Sequence, residues 1–133
     1  MPEFPSIGHV VLTVSDLKVS VPWYQRLFGG AEPVLDEDTG LGFHHTAWAL
    51  GNTLVSLHGF EPEYRQPGPA SEFRTGLDHV AFQCANREEL EKWGEYLDSL
   101  DIEHGKILDA HYGSGLAFRD PDNIQLEFFA PPA

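Results

Sequence analysis

Basic residues are scarce in this chain. Its 133 residues include 8 Lys and Arg against 21 Asp and Glu, a formal charge of −13. Such a surface repels phosphate backbones and anionic bilayers, so no nucleic-acid or membrane partner is expected. Cysteine is limited to Cys84, which excludes an internal disulfide and fits a reducing, cytoplasmic setting. No apolar run nears the ~18 residues of a membrane span. Met1-Pro2-Glu3-Phe4 has neither a basic region nor an apolar h-region, so no secretory signal is expected. A Gly-rich phosphate loop after a strand and a Ser–His–acid spacing are also missing. What is present, 41% hydrophobic and 12% aromatic residues, is enough for the packed core of one domain.

The chain repeats itself. Gly8-His9-Val10-Val11-Leu12 resembles Asp78-His79-Val80-Ala81-Phe82, with the two histidines 70 residues apart. Asn52-Thr53-Leu54-Val55-Ser56-Leu57-His58 matches Asn123-Ile124-Gln125-Leu126-Glu127-Phe128-Phe129 at a spacing of 71. Two matches at nearly one spacing mark a duplicated unit. In the first, Ile7–Val14 reads as a strand. Asp16–Phe28 follows as a helix whose Leu17, Val21, Tyr24 and Phe28 share a face. Pro22 belongs in a first helical turn, which moves the expected regular start to near Val19. Three strands follow over 31–36, 42–50 and 53–58. The second unit reads as a strand over 77–84, a helix capped by Asn86, and strands over 102–109, 114–119 and 124–129. The expected fold is α+β: a single domain of two tandem βαβββ modules, about 5–59 and 77–130, joined by a Pro/Gly-rich linker over 60–76.

Strand alternation sorts the side chains. Val10, Leu12 and Val14, like Val80, Phe82 and Cys84 and like Ile124, Leu126 and Phe128, form apolar faces suited to lie under a helix. His9, His79 and Glu127 fall on the opposite face, each in the same repeat frame. Two imidazoles and a carboxylate form a set that holds a divalent transition metal and leaves positions open for substrate. Spacing alone leaves the bland reading standing beside it, with hydrogen-bonded strand histidines and a glutamate paired to a base.

These segments, with Trp23-Tyr24-Gln25-Arg26-Leu27-Phe28-Gly29 and Phe118-Arg119-Asp120-Pro121-Asp122-Asn123, resemble the vicinal oxygen chelate superfamily. That superfamily includes glyoxalase I, extradiol dioxygenases and the fosfomycin- and bleomycin-resistance proteins. The resemblance spans nearly the whole chain. It implies curved mixed sheets around a metal cup, with one divalent ion (Fe, Mn, Ni or Zn) on His9, His79 and Glu127. It also implies a metal-dependent dioxygenase or lyase/isomerase in which the ion chelates vicinal substrate oxygens, and a homodimer. The alternative is a metal-free, drug-binding protein of the bleomycin-resistance type.

Departures from the family pattern narrow this. Ser56 stands where four-ligand members carry a further ligand, and serine is no base for a carbon acid. His58, two residues on and on the same face, is the candidate general base or displaced ligand. Thr13 and Thr75 stand where glutathione-dependent members carry arginines, although Arg74 is adjacent to the second. Ala117 stands where extradiol enzymes place a catalytic tyrosine. Of His44 and His45, one can face the cup. Trp48 fits either the cup wall or the core, and His104 is expected in solvent. His111-Tyr112-Gly113 reads as a polar loop.

Overall fold

The structure is a computed structural model describing residues 1–133. It divides into two compact units, Met1–Pro67 and Gly68–Ala133. The first contains β1 (His9–Thr13), α1 (Leu17–Leu27), β2 (Leu35–Asp38), β3 (Phe43–Leu50) and β4 (Thr53–Phe60), followed by one 3-10 turn at Pro62–Tyr64. The second contains β5 (Val80–Gln83), α2 (Arg87–Ser99), β6 (Leu108–Ala110), β7 (Gly113–Arg119) and β8 (Gln125–Ala130). The sheets are ordered β1-β4-β3-β2 and β5-β8-β7-β6. In each, the first and last strands pair in parallel and the other pairs are antiparallel. The repeated βαβββ order read from the sequence is therefore the observed one.

Local chemistry explains the helices. Asp16 caps α1 by accepting the Lys18 N–H at 2.9 Å. Asn86 caps α2 by accepting the Glu89 N–H at 3.1 Å, and Glu89 reaches back to the Ala85 N–H at 2.9 Å. That pair resembles a capping box, except that the cap is Asn and Glu89 takes the N–H of the residue before it. Each helix covers one sheet face. In the first unit Leu12, Tyr24, Leu27, Trp48, Val55 and Leu57 are buried there; in the second, Leu90, Leu97, Leu116, Phe118, Leu126 and Phe128. Trp93 stacks on Phe128 with centroids 4.4 Å apart. His9, Val11 and Thr13 are exposed on the other face of β1.

Several expectations shift. Helix α1 starts at Leu17, not near Val19, and contains Pro22. The proline removes the bond to the Lys18 carbonyl, and both residues are exposed, so water can serve that oxygen. Strand β2 begins later than 31 because Pro33 interrupts it, while the Ala31 carbonyl accepts the Trp48 indole N–H at 3.0 Å. Trp48 is thus core and no cup wall. Strand β6 shrinks to three residues. The segment before it is held by Gly105 N–H to the Ala117 carbonyl at 2.9 Å and by a single bridge between His104 and Phe118. Residues 60–67 pack within the first unit and residues 68–76 within the second. Arg65 donates to the Phe60 carbonyl at 2.8 Å, and the Ala70 N–H donates to the Asp122 carbonyl at 2.9 Å.

His104 is not free in solvent. Its side chain is 21% exposed, with Nδ1 2.8 Å from the Gly105 carbonyl and Nε2 2.8 Å from the Asp98 carboxylate. Both nitrogens face acceptors, so the imidazolium satisfies both. The Gly105 carbonyl, and then Asp98, raise its pKa. A raised folded-state pKa gives stability that is fully present below the unfolded value near ~6.5 and is lost as pH rises through the folded value. His104→Gln is therefore expected to destabilise by about 1 kcal/mol at pH 5.5 and by less at pH 8.5 in thermal unfolding. An equal deficit at both pH values would contradict the latch.

Candidate metal centre

Register decides which residues can act together. In the second unit, β8 places Glu127 opposite Ala81 of β5 and Ala117 of β7. Leu126, Phe128 and Ala130 are buried under α2, so Glu127 stands on the other face with Gln125 and Phe129. The turn before β8 fixes this phase. Asp120 is buried, and its carboxylate accepts the N–H groups of Asp122 and Ile124 at 2.9 and 2.8 Å. Asn123 takes φ 66°, a left-handed conformation that asparagine tolerates, and its amide donates to the Ala70 carbonyl at 3.0 Å.

His79 and Glu127 converge. The imidazole Nε2 lies 3.5 Å from Glu127 Oε1, with the side chains 35% and 20% exposed. Nδ1 of the same ring lies 2.7 Å from Asp78 Oδ1. A carboxylate on Nδ1 fixes the proton there and leaves the Nε2 lone pair toward Glu127, the usual outer support of a metal-bound histidine. Two donors about 2.1 Å from one cation stand roughly 3–3.5 Å apart, so the spacing fits a shared divalent ion. Room is present as well. Ala81 and Ala117 flank the carboxylate, and a Cβ placed on Gly115 would come within 2.7 Å of Glu127 Oε2. These donors fit the implied metal. Asp78 and Gly115 border this pair, and the sequence reading passed over both. Their signals were an acid directly before a histidine and a glycine inside a strand.

His9 belongs to the N-terminal unit, exposed on β1. The structure gathers no group of three or more His, Cys, Asp or Glu side chains that could hold a metal. On the same face as His9, in register across that sheet, lie Glu37, His45, His58 and Thr13. His45 Nε2 is 3.3 Å from Glu37 Oε1. His58 stacks on Phe43 at 4.3 Å and sits 5.9 Å from His45, ring to ring. Burial, then the neighbouring His45 and His9, hold the His58 imidazole below its usual pKa. It is therefore a neutral acceptor near pH 7. His45 is the member of its pair on this face; His44 lies on the other and contacts Asp36 at 2.5 Å. Ser56 is buried opposite Val11 and Ala47, the place that Glu127 fills in the second sheet. No helix is long and apolar enough to cross a membrane.

The chain is similar to known proteins along most of its length. The model of the Glyoxalase/Bleomycin resistance protein/Dioxygenase superfamily matches residues 6–128. A metallothiol transferase FosB of Staphylococcus epidermidis is 25% identical over 128 residues, 94% of this chain and 81% of that protein. A glyoxylase/bleomycin resistance protein/dioxygenase domain from Frankia sp. EAN1pec superposes with TM-score 0.83 at 26% identity, covering 97% of this chain and 99% of that one. The fosfomycin resistance protein FosX of Listeria monocytogenes, complexed with Mn(II) and 1S,2S-dihydroxypropylphosphonic acid, superposes with TM-score 0.65. Its identity is 20% over 95% of this chain and 92% of that chain, a likeness of fold.

The Asp78 contact makes a prediction of its own. Asp78→Ala frees the His79 ring and is expected to weaken Mn(II) binding about tenfold or more in a competition titration. Unchanged affinity would show that Asp78 does not orient the ligand.

Proposed function

Because the chain belongs to the glyoxalase/bleomycin resistance protein/dioxygenase superfamily, we propose that it is a metal-dependent enzyme acting on a small molecule. One divalent cation (Fe, Mn, Ni or Zn) is held by His79 and Glu127, with His9 of the N-terminal unit as third ligand. The observation that carries this is the 3.5 Å approach of His79 Nε2 to Glu127 Oε1 while Asp78 occupies the other ring nitrogen. When bound, the cation supplies a Lewis acid for substrate oxygens at its open positions. His58 is the proposed general base. Its lowered pKa keeps the ring free to take a proton from the attacking nucleophile.

The curated relatives' name, metallothiol transferase, supports transfer of a thiol to a small molecule over ring cleavage or lyase chemistry. Ser56 in the place of a glyoxalase ligand and Ala117 in the place of a dioxygenase tyrosine agree with that choice. A homodimer and a cytoplasmic setting complete the proposal. A lone 14.8 kDa species in sedimentation at micromolar concentration would contradict the dimer.

A second reading, a metal-free binding protein, is favoured by a cleft of about 400 Å³ in the first unit, lined by Thr13, Leu41, Phe60, Tyr64 and Gln66. Mn(II) titration followed by EPR separates the two. His9→Ala, His79→Ala and Glu127→Gln are each expected to weaken binding at least about tenfold. Wild-type affinity in any one of them removes that residue from the site, and no binding by the wild type favours the second reading. His58→Asn should keep the metal and lose turnover. In the wild type, the rate should rise with pH along a limb that lies below the ordinary histidine value, because the base must be neutral.

A further inference from the structure

We propose that Gly115 is a positioning residue for the metal centre: the missing side chain at this point of β7 is what allows the Glu127 carboxylate to stand toward His79. The inference rests on the metal-centre reading above and goes beyond it in assigning a role to a residue that ligates nothing.

Three observations carry it. First, a Cβ at Gly115 would meet Glu127 Oε2 at 2.7 Å and Cδ at 3.2 Å, and nothing else that close except Cγ at 3.6 Å. A contact under 3 Å with the free end of a side chain is relieved by swinging that end away, and here that end is the ligand itself. Second, the backbone does not ask for glycine. Gly115 is absent from the residues with positive φ, and it lies within a regular antiparallel ladder opposite Phe129 and Leu108. Glycine inside a strand weakens it and marks a place of close approach.

Third, the duplicated sheet supplies an internal control. The Ala47–Ser56 pair in the first sheet matches the Ala117–Glu127 pair in the second, and by the same register His45–His58 matches Gly115–Phe129. The first module thus folds with a full imidazole where the second has no side chain at all. What differs is the neighbour: buried Ser56 there, Glu127 here. The glycine accompanies the carboxylate and is no requirement of the module. With Ala81 and Ala117 on the flanking strands, it completes a clearing of small residues around Glu127.

The test is Gly115→Ala, with Gly105→Ala as control, since a Cβ there meets only the Ala117 carbonyl at an ordinary 3.7 Å. Two quantities are read on the full chain: the thermal midpoint without metal and the Mn(II) dissociation constant. Gly115→Ala is expected to keep or raise the midpoint and to weaken Mn(II) binding about tenfold. Gly105→Ala is expected to leave the affinity unchanged. Wild-type affinity in Gly115→Ala overturns the proposal, while Glu127→Gln still losing the metal would leave the metal centre standing. Wild-type affinity in Glu127→Gln overturns both. Should Gly115→Ala lower the midpoint, Glu127→Ala in the same background must restore it, because the crowding is with that side chain. Failure to restore it also overturns the proposal.

Discussion

Parallel pairing of the first and last strands of each module is the constraint on which the rest depends. In the second sheet it sets Ala81 against Glu127 and leaves Leu126 and Phe128 beneath α2. A slip of one residue would bury the carboxylate under the helix and expose two core side chains. That is a cost no single contact at the site could offset, since burying an unpaired carboxylate alone is prohibitive. The Asp120 turn feeds β8 into the sheet in the correct phase, so a buried carboxylate that touches no substrate fixes the orientation of one proposed to hold a metal.

Duplication followed by divergence accounts for the two faces. The same ladder presents Ser56, His45 and His58 in one sheet and Glu127, Gly115 and Phe129 in the other. The first face became a wall of imidazole and phenyl rings, with His58 stacked on Phe43 and near Phe60. The second became a clearing around one carboxylate. Each covers its opposite face with its own helix, so the modules keep separate cores while their bare faces are free to specialise.

Much of this was legible in the sequence because it is periodic. The spacing of 70–71 residues revealed the repeat, and alternation put His9, His79 and Glu127 on the faces away from the helices. What was not legible depends on contacts rather than period. Pro22 is tolerated in α1 because it and Lys18 are exposed, so water can reach the carbonyl it abandons. Trp48 goes to the core because its indole N–H finds the Ala31 carbonyl. His104 is held because two acceptors meet it from separate segments. Gly115 carried only a weak mark, a glycine within a strand, and its meaning needed the position of the Glu127 carboxylate. The resemblance to a known family was specific for the fold. For the reaction it was much less so, leaving dioxygenase, lyase/isomerase and metal-free binding open, while the curated relatives compared are metallothiol transferases.

The central claim is that this acidic chain holds one divalent cation through His79 and Glu127. The most direct measurement is elemental analysis of protein purified without chelator, beside Glu127→Gln prepared in the same way. The account predicts about one equivalent of a divalent transition metal per chain in the wild type and little in the variant. No metal in the wild type even after anaerobic reconstitution, or equal metal in both proteins, would contradict it.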